Sequence, residues 1–275
     1  MTVINKYPFQ TKKGNKEFFK RKDQELTNLD WAKWAGWFDT DGSFQRQWNK
    51  THKNYQLFTS LKLSDRQPVE LFSNVFETSL RYEEANTITP NGVRYVAKTF
   101  LAVLSGPKAI WFTENISPYL IKKAKREYAG NVLQDTVRSK AIDTWTKDEV
   151  THYLATVIEG DGSIQIITKN TARSLKITVS SNDTQYLANL VYIAASKLNV
   201  NCKFKKAKTY QTKRGVVTMF VLYINCSRRN FENLGFIKLL IKYNVMTLDR
   251  KKERVQEYVT WFENKTKNLK LESRV

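Results

Sequence analysis

The sequence predicts an α+β fold built twice over, as two pseudo-symmetric halves that each run α-β-β-α-β-β-α. Three observations predict it. First, the chain repeats itself. WAGWFDTDGSFQR (34–46) and LATVIEGDGSIQI (154–166) share a small residue, an acid, then Asp-Gly-Ser, an apolar residue and Gln, and they place Asp41 and Asp161 120 positions apart. Second, the hydrophobic period switches in the same order after each copy, from helical spacing to alternation and back. Third, each half carries a hairpin turn signal at a matching place, near Pro90-Asn91-Gly92 and Lys213-Arg214-Gly215.

In the first half, Asn28 is placed to cap a helix running to Phe38. Asp30 sits in its first turn, and Trp31, Trp34, Ala35 and Phe38 recur at spacings of three and four, until Gly42 stops it. SFQRQWNK and LFTSLKLSD read as strands, and DRQPVELFSNVFETSL as an amphipathic helix with Pro68 in its opening turn. A hairpin and a closing helix complete the half. In the second half, Thr146 and Glu149 form a capping box. SIQIITKN and LKITVSSND read as strands, NDTQYLANLVYIAASKL as a helix, and again a hairpin and closing helix follow. The expected division is a basic extension over 1–27, a first half over 28–133, a linker over 134–145 and a second half over 146–275.

The formal net charge of +20 over 275 residues points to a polyanionic partner, nucleic acid above all. Lys and Arg are spread along the whole chain rather than along one amphipathic helix, which argues against a membrane-surface protein. No apolar run reaches transmembrane length, since the best candidate, FLAVLSGPKAIWF, is broken by Gly106-Pro107. Cys202 and Cys226 form no Cys-x-x-Cys pair and read as reduced thiols half buried in strands. The N-terminal stretch reads as a flexible basic arm: it contains Glu17 and lacks the Arg/Ser bias of a transit peptide. The excess of Lys over Arg, with common Asn and Ile, fits an AT-rich genome and hence an organelle, a mitochondrion or chloroplast.

The acids at the end of each repeat helix are the chemical puzzle. Helix C-termini carry partial negative charge, so Lys or Arg is favoured there over Asp39 and Asp41. An EF-hand loop does not explain them, because counting from Asp39 its glycine and glutamate positions hold Phe44 and Lys50. A purely structural helix-to-strand turn explains one copy better than two. A pair of metal-ligating carboxylates explains both. Small residues (Ala32, Ala35 and Gly36; Ala155 and Thr156) would let the two helices pack side by side, and a divalent cation would reverse the repulsion between Asp41 and Asp161.

WAGWFDTDG and LATVIEGDG resemble the two motifs of single-chain LAGLIDADG homing endonucleases, and the resemblance covers residues 29 to about 262. The departures are Trp34 and Trp37 in place of Leu and Thr156 in place of Gly, and none touches the acids. The resemblance implies a helix pair at the interface of the halves and antiparallel sheets forming a DNA-binding saddle. It implies a metal-dependent enzyme, usually encoded within an intron, that cuts both strands of a long double-stranded DNA site; the internal repeat, which puts both halves of the site in one chain, predicts that it works as a monomer. Asp41 and Asp161 would be the principal ligands of Mg²⁺, or of Mn²⁺ or Ca²⁺, helped by the carbonyls of Thr40 and Gly160. The family pattern also places a solvent-ordering polar residue after the second strand, for which Asp65 and Asn182 are candidates, and a lysine near the final helix, for which Lys123 and Lys242 are candidates. An intron RNA maturase of the same fold is the alternative; a non-catalytic DNA-binding protein fits the paired acids poorly.

The strands after each motif alternate, so one face rests on helices and the other is open. In phase with Ser43 the open face carries Gln45, Gln47 and Asn49; in the second half it carries Ser163, Gln165, Ile167 and Lys169. Gln and Asn match adenine edges and Lys matches guanine edges in the major groove. A ribbon of about nine residues spans roughly 30 Å, near one DNA turn, so two ribbons predict a site on the order of 20 base pairs.

Overall fold

Thr27, one residue before the expected cap, starts the first motif helix. Its side chain and the Asp30 carboxylate form a reciprocal capping box, with the Thr27 amide donating to Asp30 Oδ2 at 2.9 Å, and Asn28 becomes the first helical residue. The capping box expected at Thr146 and Glu149 is present, with bonds of 2.8 and 3.2 Å. Both motif helices therefore begin with the same local device.

The structure is a computed structural model that describes residues 13–88, 94–170, 172–212, 215–228 and 231–272. The chain divides into two units, Met1–Lys140 and Ala141–Val275. The first holds α1 (Lys13–Glu25), α2 (Asn28–Thr40), β1 (Gly42–Asn49), β2 (Asn54–Leu63), α3 (Arg66–Phe76), β3 (Leu80–Ile88), β4 (Arg94–Ser105), α4 (Pro107–Ile116) and α5 (Lys123–Leu133). The second holds α6 (Lys147–Gly160), β5 (Gly162–Lys169), β6 (Ala172–Ser181), α7 (Thr184–Leu198), β7 (Cys202–Thr212), β8 (Gly215–Ser227), α8 (Leu234–Lys242) and α9 (Asp249–Glu272). From the motif helix onward each unit follows α-β-β-α-β-β-α and then adds one further helix, α5 or α9. The hairpin turns expected at Pro90-Asn91-Gly92 and at Lys213-Arg214 lie outside the described residues.

Each unit has one antiparallel four-stranded sheet, ordered β1-β2-β4-β3 in the first and β5-β6-β8-β7 in the second. Alternation decides which face is covered. Phe44, Thr59, Leu61, Ala102 and Leu104 all point to the helix side in the first unit and are buried, as are Ile164, Leu175, Ile177, Leu222 and Ile224 in the second. Under the first sheet lies an aromatic cluster. Trp31 meets Trp111 edge-on at 5.3 Å, Trp34 meets Phe72 at 5.3 Å, and Phe38 meets Phe112 at 4.8 Å.

Helix α1 of the N-terminal extension docks on that cluster. Phe18 and Phe19 on α1 are buried against Trp111, at ring distances of 5.7 and 5.6 Å, and Asp23 accepts the Trp111 indole N–H at 2.9 Å. The reading of a flexible arm thus gives way over residues 13–25, where two adjacent phenylalanines supply enough apolar area to dock a basic helix. Cys202 opens β7 half-buried and Cys226 is buried in β8, both as free thiols. Among the described residues no helix is long and apolar enough to cross a membrane.

Candidate active site and nucleic-acid interface

At the end of α2 the chain reverses within two residues. Asp41 is the C-cap, its amide donating to Trp37 O at 2.8 Å, and β1 begins at Gly42. A Cβ on Gly42 would lie 2.5 Å from the Phe38 Cα and 2.2 Å from its ring. α6 ends the same way: Asp161 is the C-cap, bonded to Val157 O at 3.1 Å, and a Cβ on Gly162 would lie 2.4 Å from Ile158 O. The glycine of each Asp-Gly pair is therefore required by close approach of strand to helix. This junction fixes each aspartate at a helix end, beside the backbone carbonyl of Thr40 or Gly160. Both aspartates are partly exposed, although Oδ2 of Asp41 is shielded from solvent.

The acid two residues earlier has a different task in both units. Asp39, with no exposed surface, accepts the amides of Ile121 at 2.7 Å and Lys122 at 3.2 Å, just where α5 begins. Glu159, also buried, accepts the amides of Thr247 and Leu248, each at 2.5 Å, just before α9 begins. These two carboxylates satisfy helix-start donors that would otherwise have no partner. They position the last helix of each unit against the motif.

That docking brings a lysine to each motif. Lys125 on α5 donates to Gly42 O. Lys251 on α9 is only 4% exposed and donates to Ile158 O at 2.8 Å, Glu159 O at 2.5 Å and Gly162 O at 2.7 Å. The cation that the helix C-terminus calls for is thus supplied from elsewhere in the chain. Lys125 and Lys251 stand 126 positions apart, as do Ile121 and Thr247, so they are the same position in the two repeats. The sequence reading passed over both; carrying the repeat through to the closing helices is the signal that finds them. Lys123 instead lies on the outer side of α5, with a side chain 82% exposed and a 3.9 Å contact to Glu127. Lys242 is an exposed residue at the end of α8, stacked over Tyr243 at 5.5 Å. The structure brings neither to its motif helix.

The polar candidates after the second strands are not equivalent to each other. Asp65 is the N-cap residue of α3, and its counterpart is Asp183, which caps α7 by accepting the Tyr186 amide at 2.9 Å. Asn182 is exposed and precedes that cap. His52 is exposed, and His152 bonds the Asp148 carbonyl at 2.8 Å. Among the described residues no group of three or more His, Cys, Asp or Glu could hold a metal. A cation at Asp41 or Asp161 would draw on carboxylate and backbone carbonyl oxygens, a hard donor set that suits Mg²⁺ or Ca²⁺.

On the open face of the first sheet, Ser43, Gln45 and Gln47 form a side-chain ladder. Gln45 Nε2 donates to Ser43 Oγ at 3.0 Å and Gln47 Nε2 donates to Gln45 Oε1 at 2.7 Å. Gln56 lies opposite Gln47 across β1 and β2. Asn49 is already occupied, since its Oδ1 accepts the amides of Thr51 and His52 at 2.9 and 3.1 Å to form the β1–β2 turn. In the second sheet Ser163 is half-buried and Gln165, Ile167 and Lys169 are exposed.

No family model matches the sequence, and no curated protein matches it. Among solved structures, the chain is similar to the LAGLIDADG homing endonuclease I-GzeII in complex with its DNA target, with a TM-score of 0.53 at 17% identity over 88% of this chain and 92% of that one. It is also similar to the LAGLIDADG meganuclease I-AabMI bound to uncleaved DNA, with a TM-score of 0.51 at 13% identity over 88% of this chain and 93% of that one. The chain has the LAGLIDADG homing-endonuclease fold.

Within the LAGLIDADG fold, the residues of this chain separate into two kinds. The two capping boxes start the motif helices, Gly42 and Gly162 let each helix turn directly into its strand, and Asp39 and Glu159 hold the start of the last helix of each unit. Asp41 and Asp161 lie at the C-terminal ends of their helices, where the backbone dipole disfavours a carboxylate and each unit docks a lysine on the same turn.

Proposed function

We propose that the chain is a site-specific DNA endonuclease that makes a double-strand break in a target of about 20 base pairs, by metal-dependent phosphodiester hydrolysis, and so promotes intron homing. The observation that carries this reading is the duplicated helix end. Each unit sets one aspartate at the C-terminus of its motif helix and docks one lysine, Lys125 or Lys251, onto the same turn. A structural turn requires neither.

Asp41 and Asp161, with the carbonyls of Thr40 and Gly160, are the groups that would hold Mg²⁺ or a similar divalent cation. When bound, such a cation lowers the pKa of a water and offsets charge on the leaving oxygen. The chain's own residues do the rest. Asp39 and Glu159 lock α5 and α9 in place, and the lysines those helices carry add positive charge beside the acids, where a phosphate is to be held. The open sheet faces present amide and ammonium groups to a duplex. The likeness in fold to DNA-bound I-GzeII and I-AabMI supports the choice of duplex DNA as partner.

The test is cleavage of supercoiled plasmid carrying the host intron-insertion sequence. Linear product with Mg²⁺, and none with EDTA, is the expected result. Metal-independent cutting, or no cutting of a site that the protein binds specifically, would overturn the reading.

A further inference from the structure

The two open sheet faces are built from different chemistry. In the second unit, none of the residues of β5, β6, β7 and β8 is acidic. The antiparallel register puts Lys176 on the open face opposite Asn225, Lys203 opposite Tyr223, Lys205 opposite Val221 and Lys208 opposite Met219. The bulge between Lys206 and Lys208 returns Lys208 to that face. Two of these ammonium groups share one ring: Lys176 lies 5.0 Å and Lys205 5.3 Å from the Tyr223 centroid, and Lys208 lies 5.9 Å from that of Tyr210. Holding like charges this close is unfavourable; the ring quadrupole offsets part of that repulsion and a polyanion offsets the rest.

The first unit's face differs at the equivalent places. β3 occupies the edge that β7 occupies in its own sheet, yet on the open face it carries Glu83, which is paired with Lys62 on β2 at 2.6 Å. Beside one further cation, Arg81 opposite Leu101, this face offers the amide ladder of Gln45 and Gln47, with Gln56 across from it. The equivalent ladder in the second unit is interrupted by Ile167, opposite Ser174. Each primary amide presents a donor and an acceptor side by side, as the adenine edge requires, whereas an ammonium is a point charge suited to phosphate.

We infer that the two half-sites of the target are engaged by different means: the first unit reads bases through Gln45, Gln47 and Gln56, and the second grips the phosphate backbone through Lys176, Lys203, Lys205 and Lys208. The inference rests on the DNA endonuclease reading. It makes the target asymmetric in information content. One half-site tolerates little change; the other tolerates much and supplies most of the salt-dependent affinity.

Binding selection from a randomised duplex library in EDTA, followed by salt titration on the selected site, tests this. The wild-type protein is expected to recover one strongly defined half-site, with adenine preference, beside one weakly defined. Lys203→Gln/Lys205→Gln/Lys208→Gln is expected to leave base preferences unchanged and to lower the log–log salt slope by roughly 2 to 3, at about 0.9 per phosphate contact. Gln45→Ala/Gln47→Ala is expected to erase preference at the positions it contacts and to leave the slope unchanged. Loss of base preference at defined positions in the lysine variant, with its slope intact, overturns the inference while leaving the endonuclease reading in place. Recovery of no specific site overturns the endonuclease reading, and this inference with it.

Discussion

A carboxylate at the C-terminal end of a helix faces the negative pole of the backbone, and Asp39 and Asp41 meet that penalty in opposite ways. Asp39 is offset by two amide donors and Glu159 by two more, so both belong to the fold. Asp39→Asn puts an NH₂ where one of the two amide hydrogens needs an acceptor, whereas Glu159 takes both amides on Oε1, so Glu159→Gln can keep that oxygen in place and removes only the charge from those bonds. Each should lower stability by about 2–4 kcal/mol, as read by urea unfolding. Asp41→Asn and Asp161→Asn are expected to behave in the reverse manner. They should keep stability within about 1 kcal/mol of the parent, since Asn is accepted at a helix end, yet abolish double-strand cleavage while specific binding persists. Gel shift, cleavage and circular dichroism on the same preparations compare the two classes, and normal cutting by folded Asp161→Asn protein would remove Asp161 from the site. The thiols give a simpler contrast. Burial pushes Cys202 up to about 11 and raises Cys226 as well. At pH 8 about one Cys202 thiol in a thousand is ionised, so an aromatic disulfide reagent should react slowly with the native protein and fast in guanidinium. Rapid labelling of the folded protein would show these thiols to be less shielded.

At the scale of elements, α1 is an addition to the repeat that the first unit has incorporated. Phe18, Phe19 and the Asp23–Trp111 hydrogen bond tie it to the aromatic cluster of α2, α3 and α4. Phe19→Ala should therefore cost about 3 kcal/mol, and a change smaller than about 0.5 kcal/mol in a urea midpoint measurement would mean that α1 is dispensable to the cluster. The same elements show what a single sequence discloses. Alternation and helical spacing are local, so the strands, the amphipathic helices and the capping box at Thr146 could be read directly. Thr27 and Asn28 are adjacent residues of equal capping ability, and only the reach of Asp30 back to Thr27 decides between them. The roles of Asp39 and Glu159 depend on amides more than 80 residues away, which no local pattern reveals. Among Lys122, Lys123 and Lys125, helix phase decides which one faces the motif, and that phase is set by where Asp39 anchors the start of α5. The acids at the helix ends stand out in the sequence because they break a local rule twice.

At the scale of the whole molecule, the duplication bears on stoichiometry. A protein that cuts both strands of a duplex needs two sets of reacting groups, and many oligomers obtain the second set from a second copy. Here each unit carries its own motif helix, its own aspartate at the helix end, its own docked lysine and its own sheet. On the proposed endonuclease reading, one chain carries both sets, and a second copy would add nothing that the first lacks. A net charge of +20 also opposes self-association in the absence of DNA. The expected assembly is one chain on one target duplex. Light scattering of the complex, with duplex in slight excess at moderate salt, should give the mass of a single protein chain plus DNA at every protein concentration tried. A mass corresponding to two chains per duplex, or cleavage activity rising with the square of protein concentration below saturation, would refute it. Such a result would mean that the duplication within this chain does not supply a complete pair of cutting sites.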